Sequence, residues 1–145
     1  MIVIRRATDS DLKEVIRLQH QLDGAEPQIS EENAARIFAR MNTYPDNVLF
    51  VAEKDGTIAG TFTLLIFDKL GHNGKPAGIV EDVVVDQNSR GLGIGGEMMR
   101  FAMDYCRARG CYKLALSSNA KRTEAHAFYE NLGFRRHGFS FLVEP

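Results

Sequence analysis

The chain has 145 residues, with 18 basic and 19 acidic side chains for a net charge of −1, which suits one domain with one core and leaves no electrostatic footprint for nucleic acid. The opening apolar run, Met1 to Ile4, is cut off by Arg5-Arg6, and no stretch approaches the roughly 18 apolar residues of a membrane span, so a cytoplasmic protein without a membrane partner is expected. The two cysteines, Cys106 and Cys111, read as reduced thiols, and together with His20, His72 and His137 they form no ligand spacing, so no metal site is expected.

In chain order, Ile2 to Arg6 reads as a short strand, and Thr8-Asp9-Ser10-Asp11 as a capping-box-like helix start. Leu12, Val15, Ile16 and Leu22 then follow with the spacing of one buried helical face. The stretch Asp23 to Gln28 breaks that helix. Ser30, with Glu31 and Glu32 in the first turn, opens a second helix whose Ala34, Ile37, Phe38 and Met41 share a face, and Tyr44-Pro45-Asp46 ends it. Val48 to Lys54 and Thr57 to Phe67 are β-rich runs joined by Asp55-Gly56, a two-residue turn that needs positive φ, which predicts a hairpin. The loop from Asp68 to Pro76 is longer than a hairpin requires and is expected beside the acceptor site.

The segment that organises the chain follows. Ile79 to Val85 is a β-branched run carrying Glu81 and Asp82. After Asp86 to Ser89 comes Arg90-Gly91-Leu92-Gly93-Ile94-Gly95-Gly96, then a helix with Met98, Met99, Ala102, Tyr105 and Cys106 on one side. Glycines let a turn's backbone approach a ligand closely, and a helix start adds unpaired N–H groups and partial positive charge, so this strand, turn and helix suit a pyrophosphate. A P-loop is excluded, because no Gly-Lys-Ser/Thr closes the turn. Gly91, Gly93 and Gly96 formally satisfy the dinucleotide fingerprint, but the next strand ends in Ser117-Ser118 where that fold needs an acid. The 49 residues after Gly96 are also too few for a doubly wound sheet. Downstream, Tyr112 to Ser117 reads as a fifth strand and Thr123 to Asn131 as a fourth helix capped by Gly133. Phe134 to Val143, with Phe139, Phe141 and Val143 alternating, reads as a last strand.

Arg90-Gly91-Leu92-Gly93-Ile94-Gly95 fits a third pattern, Arg/Gln-x-x-Gly-x-Gly/Ala after an acid-bearing strand. Ala125 to Phe134 fits a second signature, Ala-x-x-Phe/Leu-Tyr-x-x-x-Gly-Phe. In both respects the chain resembles the GNAT superfamily of acyl-CoA-dependent N-acetyltransferases. The predicted order β-α-α-β-β-β-α-β-α-β is also similar to that fold, an α/β mixed sheet with helices on both faces, in one domain spanning residues 1–145. The Val-Glu-Asp context of Glu81 and Asp82 resembles the glucosamine-phosphate acetyltransferases. The run from Ser117 to His126 resembles the aminoalkylphosphonate acetyltransferases, with a comparable Ser-Thr-Asn-x-Lys-Arg-x-x-Ala-His segment.

The resemblance implies acetyl-CoA as cosubstrate, with Val83, Val84, Val85, Arg90, Gly91, Leu92, Gly93, Ile94, Gly95 and Gly96 holding it and Asn119, Phe128 and Tyr129 completing its site. It implies Glu81 as general base through a water, and Tyr129 as the phenol that protonates the departing thiolate. Because successive strand residues point to opposite faces, Asp82 is expected to do a different job, orienting the acceptor amine. The family often places an Asn seven residues before the tyrosine. Arg122 stands there, so Asn119 is the candidate for that contact, and Lys121 and Arg122 could meet a CoA phosphate or an anionic acceptor. The expected acceptor is a small primary amine, an aminoalkylphosphonate or amino-sugar phosphate. A protein lysine or N-terminus, an aminoglycoside, and a non-catalytic acyl-CoA-binding regulatory domain are the alternatives. A homodimer is expected from the resemblance and from the apolar last strand.

Overall fold

The computed structural model describes residues 1–24 and 27–145; Ala25 and Glu26, part of the expected helix break, lie outside the described residues. By contact the chain divides into two units, 1–115 and 116–145.

The first unit contains β1 (Ile2–Arg6), α1 (Leu12–Asp23), α2 (Glu31–Met41), β2 (Asn47–Lys54), β3 (Thr57–Phe67), β4 (Ala77–Val85), α3 (Ile94–Ala108) and β5 (Lys113–Ala115). The five strands form one sheet in sequence order, antiparallel except for the parallel β4–β5 pair. The β2–β3 turn is as expected, with Asp55 and Gly56 at φ 50° and 80°. β2 is buried on both faces, so its apolar run is nearly continuous. Leu49 and Val51 join Leu12, Val15 and Phe38 in one core layer, and Phe50 meets Phe101 of α3 edge-on at 5.0 Å on the other. Two glycines let α3 seat closely on that second face. A Cβ at Gly60 would come within 2.7 Å of Met98 Sδ, and one at Gly78 within 2.5 Å of Cys106 Sγ. Cys106 is buried, and that burial together with neighbouring Cys111 pushes its thiol pKa up to about 12, so it packs as an inert hydrophobe.

The expected cap at Thr8 is present in detail. Its N–H and hydroxyl donate to Asp11 Oδ2 at 2.7 and 3.0 Å. Arg5 clamps the same buried carboxylate with two bonds of 2.8 and 3.0 Å, which hold its pKa down at about 2. Ser30 caps α2 by accepting from Asn33 N–H at 3.2 Å.

The second unit contains α4 (Thr123–Asn131), closed by Gly133 at φ 99° with Phe134 N–H returning to the Tyr129 carbonyl at 3.1 Å. Two expectations are corrected. The fifth strand is only three residues long. The last strand is not formed: residues 132–145 carry no helix or strand, and Phe139, Phe141 and Val143 are exposed, because a period-2 pattern becomes a strand only where a ladder partner is available. The 68–76 loop, expected beside the acceptor site, bridges Phe67 and Ala77, which pair with each other, at the end of β4 opposite the glycine turn.

Candidate functional site

The register between β3 and β4 slips in the middle of β4. Thr61 faces Val84 and Thr63 faces Glu81, so β4 spends one residue more than β3 across this interval. That is a β-bulge, and Asp82 within it has φ 53°, a left-handed conformation that aspartate tolerates better than a β-branched residue does. The bulge interrupts the alternation assumed for Glu81 and Asp82, and both side chains are exposed. The two acids are therefore not divided between a buried and a solvated face.

Solvent reaches Asp82, yet burial of its surroundings, and then the charge of Asp23 at the end of α1, push its carboxyl above the ordinary aspartate value. Like charge from a helix and strain in a strand meet on one side chain. Beyond the bulge, Val84 is buried and Val83 and Val85 are half-buried. β5 pairs only with Ala77 to Ile79, so in the first unit the edge of β4 from Val80 to Val85 has no β5 partner and presents backbone polar groups that an extended ligand could pair with.

The glycine turn follows directly. Asp86 accepts from Asn88 N–H at 3.0 Å and caps a short 3₁₀ turn, Gln87–Ser89. Gly91 and Gly93 then adopt φ 79° and 81°, and Gly93 is the N-cap of α3. The helix thus begins at Ile94, and Gly95 and Gly96 lie inside its first turn, where backbone N–H groups lack intrahelical partners. A Cβ added at Gly91 or Gly93 would meet nothing within 4 Å, so the space above both is open. Among the described residues neither glycine's N–H makes a hydrogen bond. An open concavity of backbone donors at a helix start fits the pyrophosphate of a CoA ester. Arg90 and Leu92 are exposed beside it.

The remaining candidates lie in the second unit. Tyr129 is buried, with its ring edge-on to Phe128 at 5.1 Å and Phe134 at 5.7 Å. Burial raises its pKa, so the phenol holds its proton through the neutral range. Asn119 is exposed, and its side-chain oxygen accepts from Lys121 N–H at 2.9 Å while its carbonyl meets His126 Nε2 at 2.8 Å. One of its two amide functions is thus committed to local structure. Lys121 and Arg122 are exposed.

Sequence reasoning missed Arg17, Gln21 and Asp23 on α1, which meet the β4 end of the site. Only the four-residue spacing of Arg17 and Gln21 was visible, and their partners are 69 and 66 residues away.

In the first unit, an acid-bearing bulge and a glycine helix start thus lie at one strand and its end. Residues 12–134 match the acetyltransferase (GNAT) family, and the chain belongs to it. It is 34% identical to a glucosamine 6-phosphate N-acetyltransferase of Trypanosoma brucei brucei, over 92% of this chain and 89% of that protein. It is 30% identical to an aminoalkylphosphonate N-acetyltransferase of Salmonella typhimurium, over 95% and 88%. The crystal structure of glucosamine-6-phosphate N-acetyltransferase from Arabidopsis thaliana superposes with a TM-score of 0.88 at 32% identity, covering 99% of this chain and 98% of that one. The protein is an acetyltransferase enzyme that acts on an amine. Among the described residues, no helix is long and apolar enough to cross a membrane.

Proposed function

We propose that this enzyme moves the acetyl group of acetyl-CoA onto the primary amine of a small acceptor bearing a phosphate or phosphonate, such as an amino-sugar phosphate or an aminoalkylphosphonate. The observation that carries the reading is the juxtaposition of two exposed acids at the β4 bulge with an open glycine turn at the end of the same strand. The relatives' names supply the acceptor class.

In this reading Glu81 takes the amine proton through a water, and Asp82 orients the amine. The nitrogen attacks the thioester carbonyl, the C–S bond breaks, and Tyr129 gives its proton to the departing thiolate. Backbone groups of Val83 to Val85 and the turn from Arg90 to Gly96 hold acetyl-CoA, with Asn119 and Phe128 completing its site. This requires residues 1–145 to act as a single domain in the cytoplasm.

The test is release of free CoA from acetyl-CoA with glucosamine 6-phosphate, aminomethylphosphonate, unphosphorylated glucosamine and an aminoglycoside as acceptors. Faster turnover with the first two is expected. Release with none of them, despite calorimetric binding of acetyl-CoA, would move the protein to the acyl-CoA-sensing class.

The enzyme is also proposed to be a homodimer. Support comes from the C-terminal segment, where Phe139, Phe141, Leu142 and Val143 are 91%, 92%, 87% and 84% exposed, an apolar run that a second copy of the chain would cover. A light-scattering mass near 16.2 kDa across the micromolar range would refute a stable dimer.

A further inference from the structure

α1 makes two separate sets of contacts. Its first half carries Leu12 and Val15 into the core layer with Leu49 and Val51. Farther along, Arg17 and Gln21, one helical turn apart and so on the same face, reach instead to the residues between β4 and the glycine turn. Arg17 Nη2 donates to Asp86 Oδ2 at 2.7 Å, and Gln21 Oε1 accepts from Gln87 N–H at 3.0 Å. Glu14 holds the Arg17 guanidinium from the other side at 2.9 Å. Asp86 is itself buried and fixed to β3 through its N–H, which donates to the Ala59 carbonyl at 2.8 Å.

We propose that Arg17 and Gln21 are positioning residues for acetyl-CoA: through Asp86 and Gln87 they fix the entry of the glycine turn, so that its backbone N–H groups face the pyrophosphate before it binds. The inference rests on the proposed acetyl-CoA reading.

The physical need is set by the turn. Gly91 and Gly93 give it the approach it requires, but glycine carries the largest conformational freedom of any residue, and a turn free to wander would have to be ordered by the ligand at a cost in affinity. Anchoring the residues just before the glycines removes part of that cost. The anchor contributes modestly to global stability, because Arg17 is about 40% exposed to screening water and the buried Asp86 carboxylate keeps its hydrogen bond from Asn88 N–H when Arg17 is removed. The asymmetry separates a positioning role from a structural one. Loss of the anchor should appear in acetyl-CoA binding and leave the melting temperature nearly alone.

Arg17→Met keeps the apolar stem while removing the donor, Arg17→Lys keeps the charge without the fork, and Gln21→Ala removes the second tie with no change of charge. Acetyl-CoA affinity is measured by calorimetry, and KM and kcat with the acceptor that gives the fastest CoA release in the assay above. Arg17→Met is expected to weaken acetyl-CoA binding about tenfold and raise its KM in step, with kcat at saturation within about twofold and melting within about 2 °C of the parent. Arg17→Lys should recover part of the loss, and Gln21→Ala should show a smaller loss of the same kind. Unchanged affinity in both Arg17→Met and Gln21→Ala would overturn the inference, as would a fall in kcat with KM preserved. A parent protein that binds no acetyl-CoA would instead sink the functional reading on which the inference rests.

Discussion

Residues 79–85 and 134–143 carry the same kind of signal, alternating or β-rich apolar residues, and meet different fates. The first segment has β3 along one edge for most of its length, so its backbone is paired and its one irregularity, the bulge at Asp82, is held in place by ladder bonds on both sides. The second has no ladder partner among the described residues, and its large apolar side chains are exposed. A strand is thus a property of a pair of segments, while a bulge can persist only inside such a pair. Strain at Asp82 and exposure at Phe141 are opposite outcomes of the same bookkeeping of backbone hydrogen bonds.

The largest effects should come from groups proposed to move protons. Glu81→Gln is expected to lower kcat by about 100- to 1,000-fold, and Tyr129→Phe by about ten- to 100-fold, each with acetyl-CoA affinity within about threefold of the parent. Parent-like turnover in both variants, with a verified acceptor, removes these residues from the mechanism. If only Glu81→Gln retains activity, the bulge's other acid, Asp82, becomes the base to test.

Gly93→Val should act next most strongly. The open space above Gly93 means that the added side chain meets no neighbour. The penalty comes from forcing a β-branched residue to φ 81° at the start of α3. Acetyl-CoA affinity should fall more than about tenfold while the sheet stays folded, and an unchanged affinity by calorimetry would remove the turn as the cradle.

Most of the fold was legible because its signals are local. The Asp55-Gly56 hairpin, the caps at Thr8 and Ser30, the glycine turn and the end of α4 at Gly133 each depend on residues a few positions apart. The bulge was not legible, because Val83, Val84 and Val85 continue the β pattern and only the register with Thr61 and Thr63 reveals the extra residue. Arg17 and Asp86 were equally hidden, since nothing in either neighbourhood specifies the other. The tail failed for a third reason: Phe139, Phe141 and Val143 alternate as a strand should, and alternation alone supplies no partner.

A smaller effect tests the clamp under β1. Asp11 is held at about 2 in the folded chain against an ordinary 3.8, chiefly by its hydrogen bonds from Arg5. A depressed carboxylate stabilises the fold above its unfolded value, and that contribution disappears as pH falls toward about 2. Asp11→Asn should therefore cost ~1–2 kcal/mol at neutral pH, discounted because Arg5 is partly in water, and progressively less below pH ~4. Urea midpoints at pH 7 and pH 3 give the comparison, and an equal cost at both would show that packing rather than charge holds the site.

The smallest predicted effect has the opposite sign. Asp82 is raised above its ordinary value by burial and by Asp23, so between the unfolded and folded values the native chain binds more protons than the unfolded one, and stability falls as pH rises through that window. At neutral pH the ionised carboxylate is thus a net liability. Asp82→Asn keeps a side chain that tolerates φ 53° and removes the charge, so the variant should be slightly more stable than the parent at pH 7, by less than in a fully buried case because solvent reaches the group. Well below pH 4 both side chains are neutral and the difference should vanish. The same substitution should lower turnover, since the orienting charge is lost, and a gain in stability paired with a loss of activity is the signature of an acid retained for function. Parallel melting of variant and parent from pH 3 to pH 8 would instead show that the bulge tolerates the charge without strain.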